Sequence, residues 1–69
     1  MTDGIRAIIR VKVTQPMIDG TWTGIDGAMK AVKMMKKIAK KFHLTWDMVN
    51  EEHQRQMAEI AEGGNYELV

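Results

Sequence analysis

The two histidines, His43 and His53, are the side chains best suited to acid–base or metal chemistry in this 69-residue chain. Imidazole titrates near neutral pH and binds metals readily. His53, however, lies in the middle of an apolar stripe that neither His43 nor Asp47 shares. A single histidine in that setting is typical of a hydrogen-bonded residue in a core or an interface. We therefore predict no metal site and no catalytic residue.

Cysteine and serine are both absent. This removes the two commonest side-chain nucleophiles and every thiolate metal ligand. Among the threonines only Thr45 lies near a histidine in sequence, and its place at the start of a helical pattern explains it as a cap. The composition favours a protein that is not an enzyme and that uses no cofactor.

One domain, residues 1–69, is all that this length allows. Such a short chain buries only about 60% of the surface that its unfolded state exposes. The formal net charge of +1 does not suggest a general nucleic-acid binder. No apolar run approaches the length of a membrane span, and residues 1–4 lack the pattern of a secretory signal, so we expect a cytoplasmic protein without a membrane role.

Residues 4–14 alternate in the manner of a β-strand. Apolar side chains occupy every second position, and the positions between them are mostly basic. This period of two, rich in β-branched residues, predicts a strand that ends before Pro16. The predicted apolar face consists of Ile5, Ala7, Ile9, Val11 and Val13, and the opposite face consists of Arg6, Ile8, Arg10, Lys12 and Thr14.

Two weaker strand signals lie elsewhere in the chain. Asp19-Gly20 is a favoured pair for a tight turn. Residues 21–23 therefore either return as a short strand or form an irregular loop with Trp22 tucked beneath the helix that follows. Residues 66–69 have the pattern of a short strand or of an ordered tail.

Residues 25–42 predict a helix, with Thr23 or Asp26 as its N-cap. Its apolar residues cover an arc of roughly 220°, whereas an ordinary surface helix shows an apolar stripe of about 100° or more. A small sheet cannot cover so wide an arc, so we expect a second copy of the chain or another protein to cover the rest. The residues predicted to lie at that interface are Met34, Met35, Ile38, Phe42, Trp46, His53 and Met57.

The pattern that follows predicts a second helix, capped at its start by Thr45 and ended by Gly63-Gly64. The predicted fold is therefore α+β, with a two- or three-stranded antiparallel sheet packed on two helices in the order β-(β)-α-α-β. A sheet so small leaves open edges, and we expect homo-oligomerisation to complete it. The predicted apolar stripe of the second helix consists of Trp46, Val49, His53, Met57 and Ile60.

Residues 38–49 resemble the helix-turn-helix pattern of DNA-binding proteins. The apolar contacts between its helices would come from Ala39, Leu44 and Val49. His43 stands at the turn position where glycine is usual, and Glu52 stands where the motif has an apolar residue. The resemblance implies a nucleic-acid-binding regulator. The acidic residues of the second helix argue against a DNA-binding role, because a helix that enters the DNA groove should not repel phosphate. These residues are Asp47, Glu51, Glu52 and Glu59.

Lysines occupy the side of the first predicted helix that faces away from its apolar arc. One interpretation is a solvated surface whose charges pair weakly with acids of the next helix. The other is a basic patch that binds an acidic protein surface or RNA. The predicted patch consists of Lys30, Lys33, Lys37, Lys40, Lys41, Arg6 and Arg10.

The leading hypothesis for function is a small, non-enzymatic binding or regulatory protein that acts through protein–protein interaction. Proteins of this kind occur among phage and mobile-element accessory proteins and inhibitors. One alternative is a helix-turn-helix-like nucleic-acid-binding regulator, which salt-dependent binding to DNA or RNA would reveal. Another is an oligomer with a small-ligand pocket at its interface, lined by His53, Trp46 and methionines, which a ligand-induced rise in Tm would reveal.

Overall fold

The computed structural model describes residues 1–63, and all its regular elements are helical. α1 (Asp3–Ile9), a π-helical segment (Arg10–Thr14) and α2 (Gln15–Ile18) follow one another without a break, and we call them together the first helix. α3 (Gly24–Lys41) and α4 (Trp46–Gly63) complete the fold. No strand occurs in residues 1–63, so the predicted α+β fold with a sheet is wrong. The strand predicted at residues 66–69 lies outside the described part of the chain.

The predicted strand over residues 4–14 is a helix because its apolar residues also repeat at helical spacing. Ile5, Ile9 and Val13 are four positions apart, and the last two are completely buried. Thr2 is the N-cap, and its Oγ1 accepts the Ile5 N–H at 3.2 Å. β-Branched residues lower helix propensity only slightly, and packing against two other helices overrides that preference.

Val11 and Ile8 reveal which period the folded chain uses. In a strand, Val11 would share the buried face with Ile9 and Val13, but it is 65% exposed. Ile8, which the strand pattern assigns to the opposite face, packs against the core. The two periods coincide at Ile5, Ile9 and Val13, and only the positions between them distinguish a strand from a helix.

The π-helical segment accommodates a proline inside a continuous helix. Pro16 has no N–H, and in a regular α-helix its ring would clash with the carbonyl four residues back. Just before it the helix widens, and the Gln15 N–H bonds to the Arg10 carbonyl, five residues back. The wider turn also brings the neighbouring side chains of Val13 and Thr14 into the interior, where both are fully buried. The first element therefore continues past Pro16 instead of ending there.

Residues 19–23 form an irregular loop, which confirms that alternative over a short returning strand. The Asp19 carboxylate accepts the Thr21 N–H at 2.9 Å. Trp22 is half-buried and packs against the core. Its backbone approaches Gly27 so closely that a Cβ at position 27 would lie 2.5 Å from the Trp22 carbonyl carbon. Glycine at position 27 is therefore what lets the loop pack onto α3.

α3 begins after Thr23, one of the two N-caps predicted, although the Thr23 side chain makes no capping hydrogen bond. The helix ends in a Schellman motif. The Leu44 N–H bonds to the Ala39 carbonyl at 2.8 Å and the His43 N–H to the Lys40 carbonyl at 3.4 Å. His43 closes this turn with φ of 57°, the left-handed conformation that usually requires glycine.

α4 begins where the sequence predicts. The Thr45 Oγ1 accepts the Met48 N–H at 3.1 Å, so Thr45 caps the helix as expected. The first helix, α3 and α4 all contact one another, and the π-helical segment touches both other helices. The core lies at this junction and consists of Ile9, Val13, Ala31, Met35, Ile38, Ala39 and Val49.

Candidate functional site

A hydrogen-bonded polar cluster connects the first helix to α4 in the interior. The Thr14 Oγ1 lies 2.9 Å from His53 Nδ1 and 2.6 Å from Gln56 Oε1. Because this hydroxyl donates to the Gln56 oxygen, it accepts from a protonated His53 Nδ1. The Gln56 Nε2 donates to the Arg6 carbonyl at 3.0 Å and to the Glu52 carboxylate at 2.9 Å. The cluster therefore satisfies the polar groups that the helix interface buries.

Glu52 extends this cluster to the surface through two arginines. Arg55 forms a bidentate pair with it, with Nε at 3.1 Å and a terminal nitrogen at 2.7 Å. The Arg6 Nε lies 3.5 Å from the same carboxylate. The hydrogen bonds from Arg55 lower the pKa of Glu52, and burial opposes that effect. Glu52, one of the four acids predicted to repel a DNA phosphate, is not on the surface of α4, because its side chain is buried.

Burial decides what the polar cluster can do chemically. Thr14 is 0% exposed and His53 is 4% exposed. Burial also lowers the pKa of His53, which keeps the ring neutral at pH 7. A substrate cannot reach a hydroxyl that has no exposed surface, and the proton of that hydroxyl is already committed to Gln56. The cluster therefore orients two helices.

An apolar groove with lysine walls runs along the surface of α3, beside the first helix in one part and beside Trp22 of the loop in the other. One part has a volume of ≈ 330 Å³. The adjoining part has a volume of ≈ 480 Å³, and both parts share Met34 and Lys37. We call the two parts together the lysine groove. Its apolar lining comes from Ile8, Trp22, Met34, Ile38 and Phe42, and its cationic lining from Lys12, Lys30, Lys33, Lys37 and Lys41.

All the charged side chains that line the lysine groove are positive. No carboxylate lines it, and within residues 1–63 none of its five lysines forms an ion pair. The Lys41 ammonium lies 5.7 Å from the centre of the Phe42 ring, so a cation also borders the aromatic part of the floor. A ligand that fits this surface must offer apolar side chains flanked by negative charge.

The predicted interface residues divide into surface and core. Met34, Phe42, Trp46 and Met57 are half-buried, and the first two line the lysine groove. Met35, Ile38 and His53 are buried. Met35 and His53 line neither part of the groove, and in residues 1–63 they belong to the interior of the chain. The pocket predicted around His53 and Trp46 is not among the four surface hollows described.

The predicted basic patch is also divided. Lys30, Lys33, Lys37 and Lys41 line the groove, whereas Lys40 does not. The Arg6 guanidinium lines neither part of the groove and pairs with Asp3 and with Glu52 at the junction with α4. Arg10 is half-buried and lines neither part of the groove.

The turn between α3 and α4 has a left-handed residue, His43, as helix ends of the Schellman type generally do. The outer side of α4 is acidic: its exposed ionisable residues are Asp47, Glu51, Arg55, Glu59 and Glu62. A helix with this surface repels the phosphates beside a DNA groove.

Sequence reasoning missed Ile8 in the groove and Thr14 and Gln56 in the polar cluster. Ile8 and Lys12 line the groove, and Thr14 and Gln56 form the polar cluster. Three of these four lie in the segment assigned to a strand, where alternation sets Ile8, Lys12 and Thr14 apart from the predicted core. Helical numbering, in which residue 8 precedes residue 12 by one turn, would have grouped the first two.

No protein-family model matches this chain, and no curated protein and no solved structure matches it either. Within residues 1–63, no helix combines the length and the apolar character needed to cross a membrane. The same residues contain no group of three or more histidine and acidic side chains placed to hold a metal ion.

Proposed function

We propose that this protein is a non-enzymatic binding module whose lysine groove receives an acidic, amphipathic helix of a partner protein. The observation that carries the proposal is the composition of the groove: apolar side chains with cationic walls and no carboxylate. A helix with an apolar stripe and acidic flanks is complementary to both features at once.

The length and the setting of the groove favour a helix as the occupant. From Lys30 to Lys41 the groove follows α3 for three turns, or about 16 Å at 1.5 Å per residue. A partner helix of about 11 residues has the same length. Residues 1–63 offer no sheet edge to which an extended peptide could add a strand, and helix-in-groove binding needs none.

The apolar floor favours a protein over a nucleic acid. Phosphate binding depends on cations and is indifferent to an apolar floor. Met34, Phe42 and Trp22 remain partly exposed in the groove, and covering them is favourable by about 25 cal/mol per Å² of apolar surface. The acidic outer side of α4 also repels a nucleic acid large enough to reach it.

A synthetic peptide tests the proposal. The probe is a labelled 12-residue helical peptide, with leucines at helical spacing and glutamates beside them. Its control is a scrambled peptide of identical composition, and a 12-base-pair DNA duplex is the competing ligand. Fluorescence anisotropy gives the three affinities at about 50 mM and about 200 mM salt. We expect the helical peptide to bind more tightly than the scrambled one.

Two variants locate the binding to the groove. Lys37→Glu changes the lysine shared by both parts of the groove, and we expect at least about tenfold weaker binding from charge reversal. Lys36→Glu is the matched control, because Lys36 is exposed on the same helix but lines neither part. An equal loss of peptide affinity in both variants would contradict the proposal. Tight binding of the DNA duplex with a steep salt dependence would instead indicate that the partner is a nucleic acid.

A second copy of the chain is the other partner expected from the sequence. The apolar residues of the surface that favours self-association lie outside the groove, and Lys33 borders both surfaces. The self-association surface is the exposed apolar beginning of α3, where Ile25 and Met29 are 81% and 59% exposed.

A further inference from the structure

We infer that two copies of this chain associate through the beginning of α3, antiparallel about a two-fold axis near Met29. This contact goes beyond the proposed binding of a partner helix, and of its residues only Lys33 also lines the lysine groove. The surface is a hollow of ≈ 320 Å³ lined by Ile25, Ala28, Met29, Val32 and Lys33. We call it the α3 patch.

The α3 patch is an apolar helix surface that residues 1–63 leave uncovered. Ile25 and Met29 are largely exposed, and Ala28 is also exposed. Positions 25, 28, 29 and 32 follow the spacing of three and four that places residues on one side of a helix. The same spacing on a second helix would complete a two-helix contact by ridges-into-grooves packing.

The charged residues beside the patch favour a second copy of the chain as its partner, with the two α3 helices antiparallel. Asp26 and Lys33 are both exposed and flank the same edge of the patch, seven residues or about 10 Å apart along the helix. If a second copy packs antiparallel, with the two-fold axis midway between these two positions, Asp26 of each chain lies beside Lys33 of the other. The contact then contains two such ion pairs. The patch is therefore complementary to itself, as a two-fold interface requires.

A parallel arrangement lacks this complementarity. It sets each residue at the height of its own symmetry mate, so that Asp26 no longer meets Lys33, and Lys36, which continues the stripe of positions 25, 29 and 32, approaches Lys36 of the other chain. Like charges at that distance oppose association. The antiparallel arrangement instead separates the two Lys36 residues by about 20 Å along the helices, or thirteen residues at 1.5 Å each.

Solution mass tests the inference on the full chain. Sedimentation equilibrium between about 10 µM and about 1 mM should show a monomer–dimer equilibrium, since a patch of four apolar side chains forms a small interface. Met29→Glu should abolish the dimer. Val11→Glu is the matched control, because Val11 is 65% exposed on the first helix and outside the patch. A strictly monomeric protein over this range, or equal loss in both variants, would overturn the inference.

A charge exchange tests the antiparallel pairing itself. Asp26→Lys and Lys33→Asp should each weaken dimerisation at least about tenfold, and the double variant should restore it, because the two pairs are then reversed but complementary. Circular dichroism of each variant confirms that it remains helical. Failure of the double variant to recover, with the helix content intact, would exclude this pairing.

Single cysteines report the direction of the two helices, since the chain contains no cysteine of its own. Spin labels at Met29→Cys lie near the axis and should be close to each other. Labels at Ile25→Cys should be separated by a further ~12 Å along the helix, or eight residues at 1.5 Å each. Equally short distances at both positions would indicate a parallel pair and overturn the inference. Because Lys37→Glu lies outside the α3 patch, it should leave the dimer unchanged, so this proposal and the groove proposal fail independently.

Discussion

The hydroxyl of Thr14 lies 2.9 Å from Nδ1 of His53, although the two residues are 39 positions apart in the chain. This contact joins the π-helical segment to the middle of α4. It depends on the widened turn before Pro16, since that turn directs Thr14 inward together with Val13.

Replacing Thr14 with valine should destabilise the fold by about 1–3 kcal/mol. Valine keeps the volume but leaves the Gln56 oxygen and the His53 N–H without their partner in the interior. Urea unfolding measures the change in the free energy of unfolding. Thr21→Val is the matched control, because Thr21 is exposed, and it should change stability by no more than about 0.5 kcal/mol. Equal effects at the two positions would contradict the structural role of the cluster.

Stability should fall as the pH is lowered through the region below 6.5. Burial lowers the pKa of His53 from its ordinary value of 6.5, so on acidification the unfolded state takes up this proton first. The stability contributed by the neutral ring is complete above pH 6.5, and it is lost as the pH falls toward the lower pKa of the folded state. One proton gives a slope of at most about 1.4 kcal/mol per pH unit.

Unfolding experiments between pH 7 and pH 5 test the His53 prediction. His53→Asn should flatten the dependence in this interval. Glu52 faces the same cluster, but its pKa is lowered from 4.5. Its contribution is therefore present above pH 4.5 and is lost only at lower pH. An unchanged slope in the His53→Asn protein would assign the effect to another group.

Replacing His43 with glycine should stabilise the protein by about 0.5–1 kcal/mol. His43 adopts φ of 57° at the end of α3, and this conformation is unfavourable for residues with a Cβ. Glycine removes that strain, although it also increases the entropy of the unfolded chain. His43→Val should destabilise, because a β-branched residue fits this conformation worst. Thermal unfolding of both variants checks the opposite signs, and two shifts in the same direction would contradict the Schellman geometry.

Replacing Gly27 with alanine should destabilise by about 1–3 kcal/mol, despite the higher helix propensity of alanine. The new Cβ would lie 2.5 Å from the Trp22 carbonyl carbon, so the loop must move away from α3. Tryptophan fluorescence should report that movement. Gly4→Ala is the control, because the nearest atom to a Cβ there is 3.9 Å away, at the Thr2 side chain. A stabilising Gly27→Ala would contradict the close packing of loop and helix.

Local signals in the sequence were sufficient for the second half of the described chain. Thr45 caps α4 as predicted, and α3 spans nearly the predicted range. Both helices are long, and their apolar residues recur at three and four positions without an equally good alternating pattern. Four of the predicted lysines line the groove for the same reason, since helical spacing already puts them on one side of α3.

Only the tertiary structure determined that the first element is a helix and not a strand. The positions of Ile5, Ile9 and Val13 satisfy a period of two and a period of four equally, so the local pattern leaves strand and helix undecided. What selects the helix is the burial of Ile9, Val13 and Thr14 against α3 and α4 at once, which is a property of the packed molecule. The polar cluster and the first-helix wall of the lysine groove follow from that choice.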